Sequence, residues 1–132
     1  MLFRELFEIE TRRGISCTNI TANVQNILDS CRIKEGLCNV YVLGSKAGIT
    51  VSENNMMLNQ DFKKLFEMID EKAFFHHPND ACSHLRAQLT DNEKTIPVSK
   101  GRLLLEKNQG LVLWEFDAKE CERKIIVTVS GE

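Results

Sequence analysis

The sequence predicts an α+β fold, a mixed, mostly antiparallel sheet with about three helices. Three observations carry that prediction. Runs of β-forming residues dominate both ends of the chain, helical apolar stripes lie between them, and the C-terminal strands are joined by connections too short for parallel crossovers. Residues 2–11 alternate loosely, with Phe3, Phe7 and Ile9 on one side, and read as an opening strand. A short strand follows over 15–20. Thr21 is placed to cap a helix reaching about Cys31, because Val24, Ile27, Leu28 and Cys31 recur at helical spacing. Gly36 ends that region. Residues 37–43 are apolar and β-rich enough for a central strand. Gly44-Ser45-Lys46-Ala47-Gly48 reads as a turn, and Ile49-Thr50-Val51 as the next strand.

A second helix is expected from Asn59 or Asp61, with Phe62, Leu65, Phe66 and Ile69 as its apolar stripe. A third, short helix runs from Asn79 or Asp80 to Leu89 and is expected to bury Leu85 and Leu89. Strands over 95–98, 102–106 and 111–116 read as a closing meander. The last strand, 123–129, alternates Ile125, Val127 and Val129 with Ile126 and Thr128. With no linker, repeat or low-complexity segment, residues 1–132 are expected to form a single domain.

Composition narrows the function classes. A formal net charge of -2 supplies no basic field for a nucleic-acid backbone, and Lys and Arg are scattered. No apolar run approaches the roughly 20 residues that span a bilayer. The opening residues alternate charge and hydrophobe too early for a signal peptide. Five cysteines at irregular spacing argue against a disulfide framework. A cytoplasmic protein is expected, without nucleic-acid or membrane partners.

Chemistry concentrates in one stretch. All three histidines, with one cysteine, fall within Phe75-His76-His77-Pro78-Asn79-Asp80-Ala81-Cys82-Ser83-His84. Imidazole and thiolate bind zinc-like metals, so His76, His77, Cys82 and His84 are the candidate ligands. On a regular helix, Cys82 and His84 diverge by about 200° and face one centre only if Cys82 precedes the helix in extended backbone. Asp80 has a blander reading as the helix cap. Glu53, just past a strand end, and Glu115, between bulky Trp114 and Phe116, are candidate acids. Arg123 either binds an anion or pairs with Glu120 and Glu122. The plain alternative for the histidines is a surface loop with ordinary titration.

Several segments together resemble the YjbQ-like family, small trimeric proteins also described as secondary thiamine-phosphate synthases. Cys82-Ser83-His84-Leu85-Arg86-Ala87 is similar to a family His-Ser-His-Leu stretch followed by a basic residue. Thr95-Ile96-Pro97-Val98 with Lys100-Gly101-Arg102-Leu103 resembles its Thr-Ile-Pro and Gly-Arg-Leu hairpin. Ile49-Thr50-Val51-Ser52-Glu53-Asn54 resembles its Thr-Ile-x-Glu-Asn strand end, and the close from Arg123 to Glu132 its basic final strand ending in Gly-Glu. The resemblance implies a homotrimer with a histidine-lined pocket holding a divalent metal, zinc-like or magnesium. It also implies a secondary activity on phosphorylated small molecules, joining a pyrimidine-methyl diphosphate to a thiazole phosphate.

The chain departs from that pattern at three places. Gly44-Ser45-Lys46 stands where the family carries His-Thr-(Ser/Thr), and Cys82 replaces the first histidine of His-Ser-His. Leu105-Glu106-Lys107-Asn108-Gln109 keeps only the Leu and Gln of Leu-Gly-Thr-Trp-Gln. Two functional expectations follow: an enzyme with an altered pocket built on His84, one of His76/His77 and Glu53, or a non-catalytic trimeric relative acting as a binding or scaffold protein.

Overall fold

The computed structural model of the chain describes residues 1–77 and 79–132. Its elements run β1 (Leu2–Thr11), β2 (Ser16–Asn19), α1 (Thr21–Asp29), β3 (Gly36–Val42), β4 (Ala47–Glu53), α2 (Met56–Glu67), α3 (Ala81–Thr90), β5 (Glu93–Ser99), β6 (Arg102–Leu103), β7 (Gln109–Glu115) and β8 (Cys121–Gly131). Three helices and antiparallel strands make the expected α+β architecture. The strands divide into two sheets: a five-stranded one in the order β1-β8-β3-β5-β6, and a three-stranded one in the order β2-β7-β4.

That division corrects the expected meander. β7 leaves the β5–β6 hairpin for the second sheet, where it sits between β2 and β4. β8 returns to the first sheet between β1 and β3. The physical reason lies in the side chains of β7. Leu111 and Leu113 face a core shared with Val40, Val42, Ile125, Val127 and helix α1, while Val112, Trp114 and Phe116 face a second core with Phe66 and Ala87. A strand that is apolar on both faces is stable only between two layers. β3 does lie inside the first sheet, but its outer side chains Leu37 and Tyr41 are exposed.

α2 begins earlier than expected, because the Asn55 side chain accepts the Met57 and Leu58 amides. Phe66 anchors it, packing edge-on against Trp114 and Phe116 at 5.0 Å each. α1 starts where Thr21 stands, but the Thr21 hydroxyl accepts from the Leu111 amide instead of capping the helix.

α3 overturns the simplest reading of its own sequence. Leu85 and Leu89 are 41% and 65% exposed, and the buried side chains are Cys82, Ser83, Arg86, Ala87 and Thr90. Small residues on that stripe let the helix lie close to β4. Gly48 of β4 is the receiving position: a Cβ built there would stand 1.7 Å from Thr90 Oγ1 and 2.9 Å from the Asp91 carbonyl. Arg86 locks the same helix to the end of α2, donating to the Phe66 and Ile69 carbonyls at 2.8 and 3.1 Å. Gly48→Ala is therefore expected to destabilise the fold by about 1–3 kcal/mol through overpacking, read as a lowered Tm in thermal unfolding. A Tm equal to that of the wild type would show that α3 is not seated on this strand.

Candidate functional site

The ends of β4 and β7 and the start of α3 meet at one corner. The Phe116 amide donates to the Lys46 carbonyl at 2.9 Å, so Lys46 lies opposite the exit of β7, with Asp117 next along the chain. Ser83 Oγ donates to the Phe116 carbonyl at 2.6 Å and ties the first turn of α3 to the same place. Asp80, at the N-cap of α3, is thereby carried over Lys46. Its side chain makes no capping hydrogen bond. It turns instead towards three cationic or imidazole groups.

Lys46 Nζ is 2.6 Å from Asp80 Oδ2, and His84 Nε2 is 3.5 Å from the same oxygen. His77 Nδ1 comes within 2.8 Å of Asp80 Oδ1. That approach lacks hydrogen-bond geometry, and Oδ1 is shielded from water without a partner among the described residues. The His77 and His84 rings are 4.9 Å apart. One ligand atom from each of His77, Asp80 and His84 lies within 4.8 Å of the other two. Spacing along the chain explains the convergence: Asp80 is one helical turn before His84 and three residues after His77. The cluster borders an open cleft of about 760 Å³ whose walls include Lys46, Phe74, Phe75, His77, Asp80 and Lys119.

Behind Lys46 the charges continue inward. Lys46 Nζ is 3.8 Å from Asp117 Oδ2, and Arg123 Nη2 reaches the same carboxylate at 3.9 Å. Arg123 then grips Glu115 with two bonds, Nε to Oε1 at 2.7 Å and Nη2 to Oε2 at 2.6 Å. Thr11 Oγ1 donates to Glu115 Oε1, and the Phe116 and Asp117 amides donate to Oε2. The Lys46 hydrogen bond holds the Asp80 carboxyl below its ordinary value, and the same bond raises Lys46. Burial works to raise Asp117, but the Lys119 amide, Lys46, Cys121 and Arg123 together hold it low. Glu115 lifts Arg123 further above its already high value.

The donor set fits a divalent cation. Two imidazoles and a carboxylate oxygen with no hydrogen bond are what a zinc-like ion takes, at bond lengths near 2.0–2.2 Å. The three ligand atoms lie within 4.8 Å of one another, against the ~3.4 Å of a tetrahedral site, so the side chains must close on an ion to bind it.

Residues 5–132 match the family model described as UPF0047 protein YjbQ-like. The chain belongs to this family. Among curated YjbQ-like relatives, the UPF0047 protein sll1880 of Synechocystis is 32% identical over 136 residues, covering 98% of this chain and 92% of that one. A UPF0047 protein of Methanothermobacter thermautotrophicus is 30% identical, covering 99% and 94%. A crystal structure of a YbjQ-like protein from Sulfolobus solfataricus, 27% identical, superposes with a TM-score of 0.83 over 100% of both chains. A hypothetical protein from Aeropyrum pernix, 26% identical, reaches 0.92 over 98% and 99%.

Within this YjbQ-like fold, His77 and His84 come together as the sequence suggested, and the other named residues do not join them. His76 is exposed, its ring edge-on to Phe74 at 6.5 Å. Cys82 lies inside α3, so it diverges from His84, and its thiol points to the Asp70 carbonyl at 3.7 Å. Glu53 is exposed at the far end of β4, six residues beyond Ala47 and hence ~20 Å from the cluster. Glu115 does face away from Trp114 and Phe116, but into the interior, where every lone pair is engaged. Arg123 pairs with Glu115, not with Glu120 or Glu122, and so holds no cleft-facing anion. Gly44, where the sequence resemblance leads one to expect a histidine, has φ +121°, and a Cβ there would stand 2.7 Å from Arg123 Nη1. The arginine fills that space.

Lys46 and Asp117 were not legible as site residues, and Asp80 read only as a cap. The His77-x-x-Asp80-x-x-x-His84 spacing was the available signal. Because Asp80 is depressed, its pairing stabilises the fold above the unfolded carboxyl value near 3.8 and is lost as pH falls through the folded value. Lys46→Met should therefore lower Tm near neutral pH, and the wild-type and variant curves should converge below about pH 4. A Tm difference that persists undiminished in acid would contradict the pairing.

Proposed function

We propose that the corner formed by His77, Asp80 and His84 binds a divalent cation and, through it, the phosphate groups of a small molecule. The observation that carries this is the convergence of the three donors within 4.8 Å at the rim of an open cleft. Two nitrogens and one oxygen favour a zinc-like ion over magnesium, which prefers an all-oxygen shell. The reaction we propose for it, carried over from the sequence resemblance, is transfer of a pyrimidine-methyl group from its diphosphate to the nitrogen of a thiazole phosphate. The carbon–oxygen bond to diphosphate breaks, the carbon–nitrogen bond forms, and the bonding pair departs with the diphosphate. A bound cation supplies Lewis-acid neutralisation of that leaving group. The chain itself contributes the ammonium groups of Lys46 and Lys119 on the cleft wall, which meet phosphate oxygens, and Phe74 and Phe75, which give a heterocycle an apolar surface.

The proposed homotrimer is supported by the outer face of the larger sheet. Leu6, Ile126 and Tyr41 lie in one cross-strand row, Leu2 and Leu37 in another, and Leu2, Leu6, Leu37 and Tyr41 are exposed in the isolated subunit. A second reading, a non-catalytic binding or scaffold relative, draws on the Lys46–Asp80 pair, which already neutralises the carboxylate.

One set of measurements separates the readings. Purified protein incubated with zinc and dialysed should retain about one ion per chain, form thiamine phosphate from the two substrates, and elute with three times the mass of one chain. His84→Ala should weaken zinc binding by about 10–100-fold and lower turnover in parallel. Retained zinc without turnover favours the non-catalytic relative. No retained zinc, or turnover unchanged in His84→Ala, rejects the proposed site.

A further inference from the structure

Lys46 makes the donor set unlike an ordinary open metal site. Its Nζ stands 2.6 Å from Asp80 Oδ2, the oxygen that also faces His84, so a positive charge already neutralises the carboxylate whose free Oδ1 a cation would use. The same Nζ is only 3.8 Å from Asp117 Oδ2. Asp117 is held in place by the Lys119 amide and by Cys121 Sγ, at 3.3 and 3.6 Å, and lies 3.9 Å from Arg123. The lysine thus has two carboxylate partners within a small swing of its long side chain, one belonging to the candidate cation site and one behind it.

We infer that Lys46 is a resident counter-cation of this site, and that a divalent ion binds His77, Asp80 and His84 only by driving Lys46 from Asp80 to Asp117. Two like charges held against the two oxygens of one carboxylate repel each other, so the ion and the ammonium compete. Asp117 receives the displaced ammonium and keeps the exchange from stranding a charge. The consequence is a site that binds divalent ions more weakly than its ligand set allows. In that state Lys46 is moved along the cleft wall, where an anionic group bound on the ion meets it at a different position.

This inference rests on the triad being a cation site, and the test keeps the two apart. Zinc and cobalt(II) binding are measured by calorimetry, with the cobalt visible spectrum as a second readout, for the wild type, Lys46→Met, Asp117→Asn and His84→Ala. Circular dichroism confirms that each variant is folded. Lys46→Met is expected to bind zinc at least about tenfold more tightly than the wild type, and Asp117→Asn more weakly, with the tetrahedral cobalt spectrum unchanged in form. Lys46→Met binding equal to or weaker than wild type, while His84→Ala loses binding, overturns the competition and leaves the triad standing. Absence of binding in both the wild type and Lys46→Met, or undiminished binding in His84→Ala, overturns the triad and the competition together.

Discussion

The bidentate pair between Glu115 and Arg123 is the constraint on which the functional corner depends. Glu115 is 1% exposed on β7 of the smaller sheet, and Arg123 comes from β8 of the larger one. Thr11, at the end of β1, completes the join. Two sheets that otherwise meet through aliphatic side chains are thus pinned at one end by charge-assisted bonds of fixed geometry. Taking two charges out of water is costly, and their attraction roughly offsets it; losing one partner would cost about 3–5 kcal/mol by stranding the other. The pair therefore fixes position more than it adds stability. Asp117, two residues after Glu115, inherits its place from it, and Lys46 and Asp80 follow outward.

That chain of alternating charges has a graded character. At its inner end every Glu115 lone pair is occupied, and nothing there is free for chemistry. At its outer end Asp80 and His84 are about a third exposed and His77 more than half, so contacts there are weak individually and adjustable. An anchored interior feeding an adjustable rim suits a ligand site, because the rim can re-form around an ion without disturbing the fold. No helix among the described residues is long and apolar enough to cross a membrane.

Much of the fold was legible because patterning and layering agree. The opening strand, the central β3, the alternation of Ile125, Val127 and Val129 and the presence of three helices among the described residues follow from local pattern and composition. What the sequence hid has a common cause. β7 carries apolar side chains on both faces, and local pattern cannot say which of two sheets it joins. α3 buries Ser83, Ala87 and Thr90 where Leu85 and Leu89 look the natural choice, because close approach to Gly48 demands small side chains. Of the candidate site, the histidine stretch contains the two imidazoles that converge on Asp80. Cys82 and Glu53 failed for geometric reasons already contained in helix and strand periodicity, one turned away on a helix and the other carried to the far end of a strand. Lys46 and Asp117 are invisible without the tertiary contact that joins the start of β4 to the end of β7.

The central claim is that His77, Asp80 and His84 form one cation site at that corner. Anomalous diffraction at the zinc edge, from crystals equilibrated with zinc, tests it most directly. The account predicts a single strong peak bonded to one nitrogen of each of these two histidines and to an Asp80 oxygen, with Lys46 drawn towards Asp117. A peak bound instead to His76 or Cys82, or none at this corner with both histidines ordered, would contradict it.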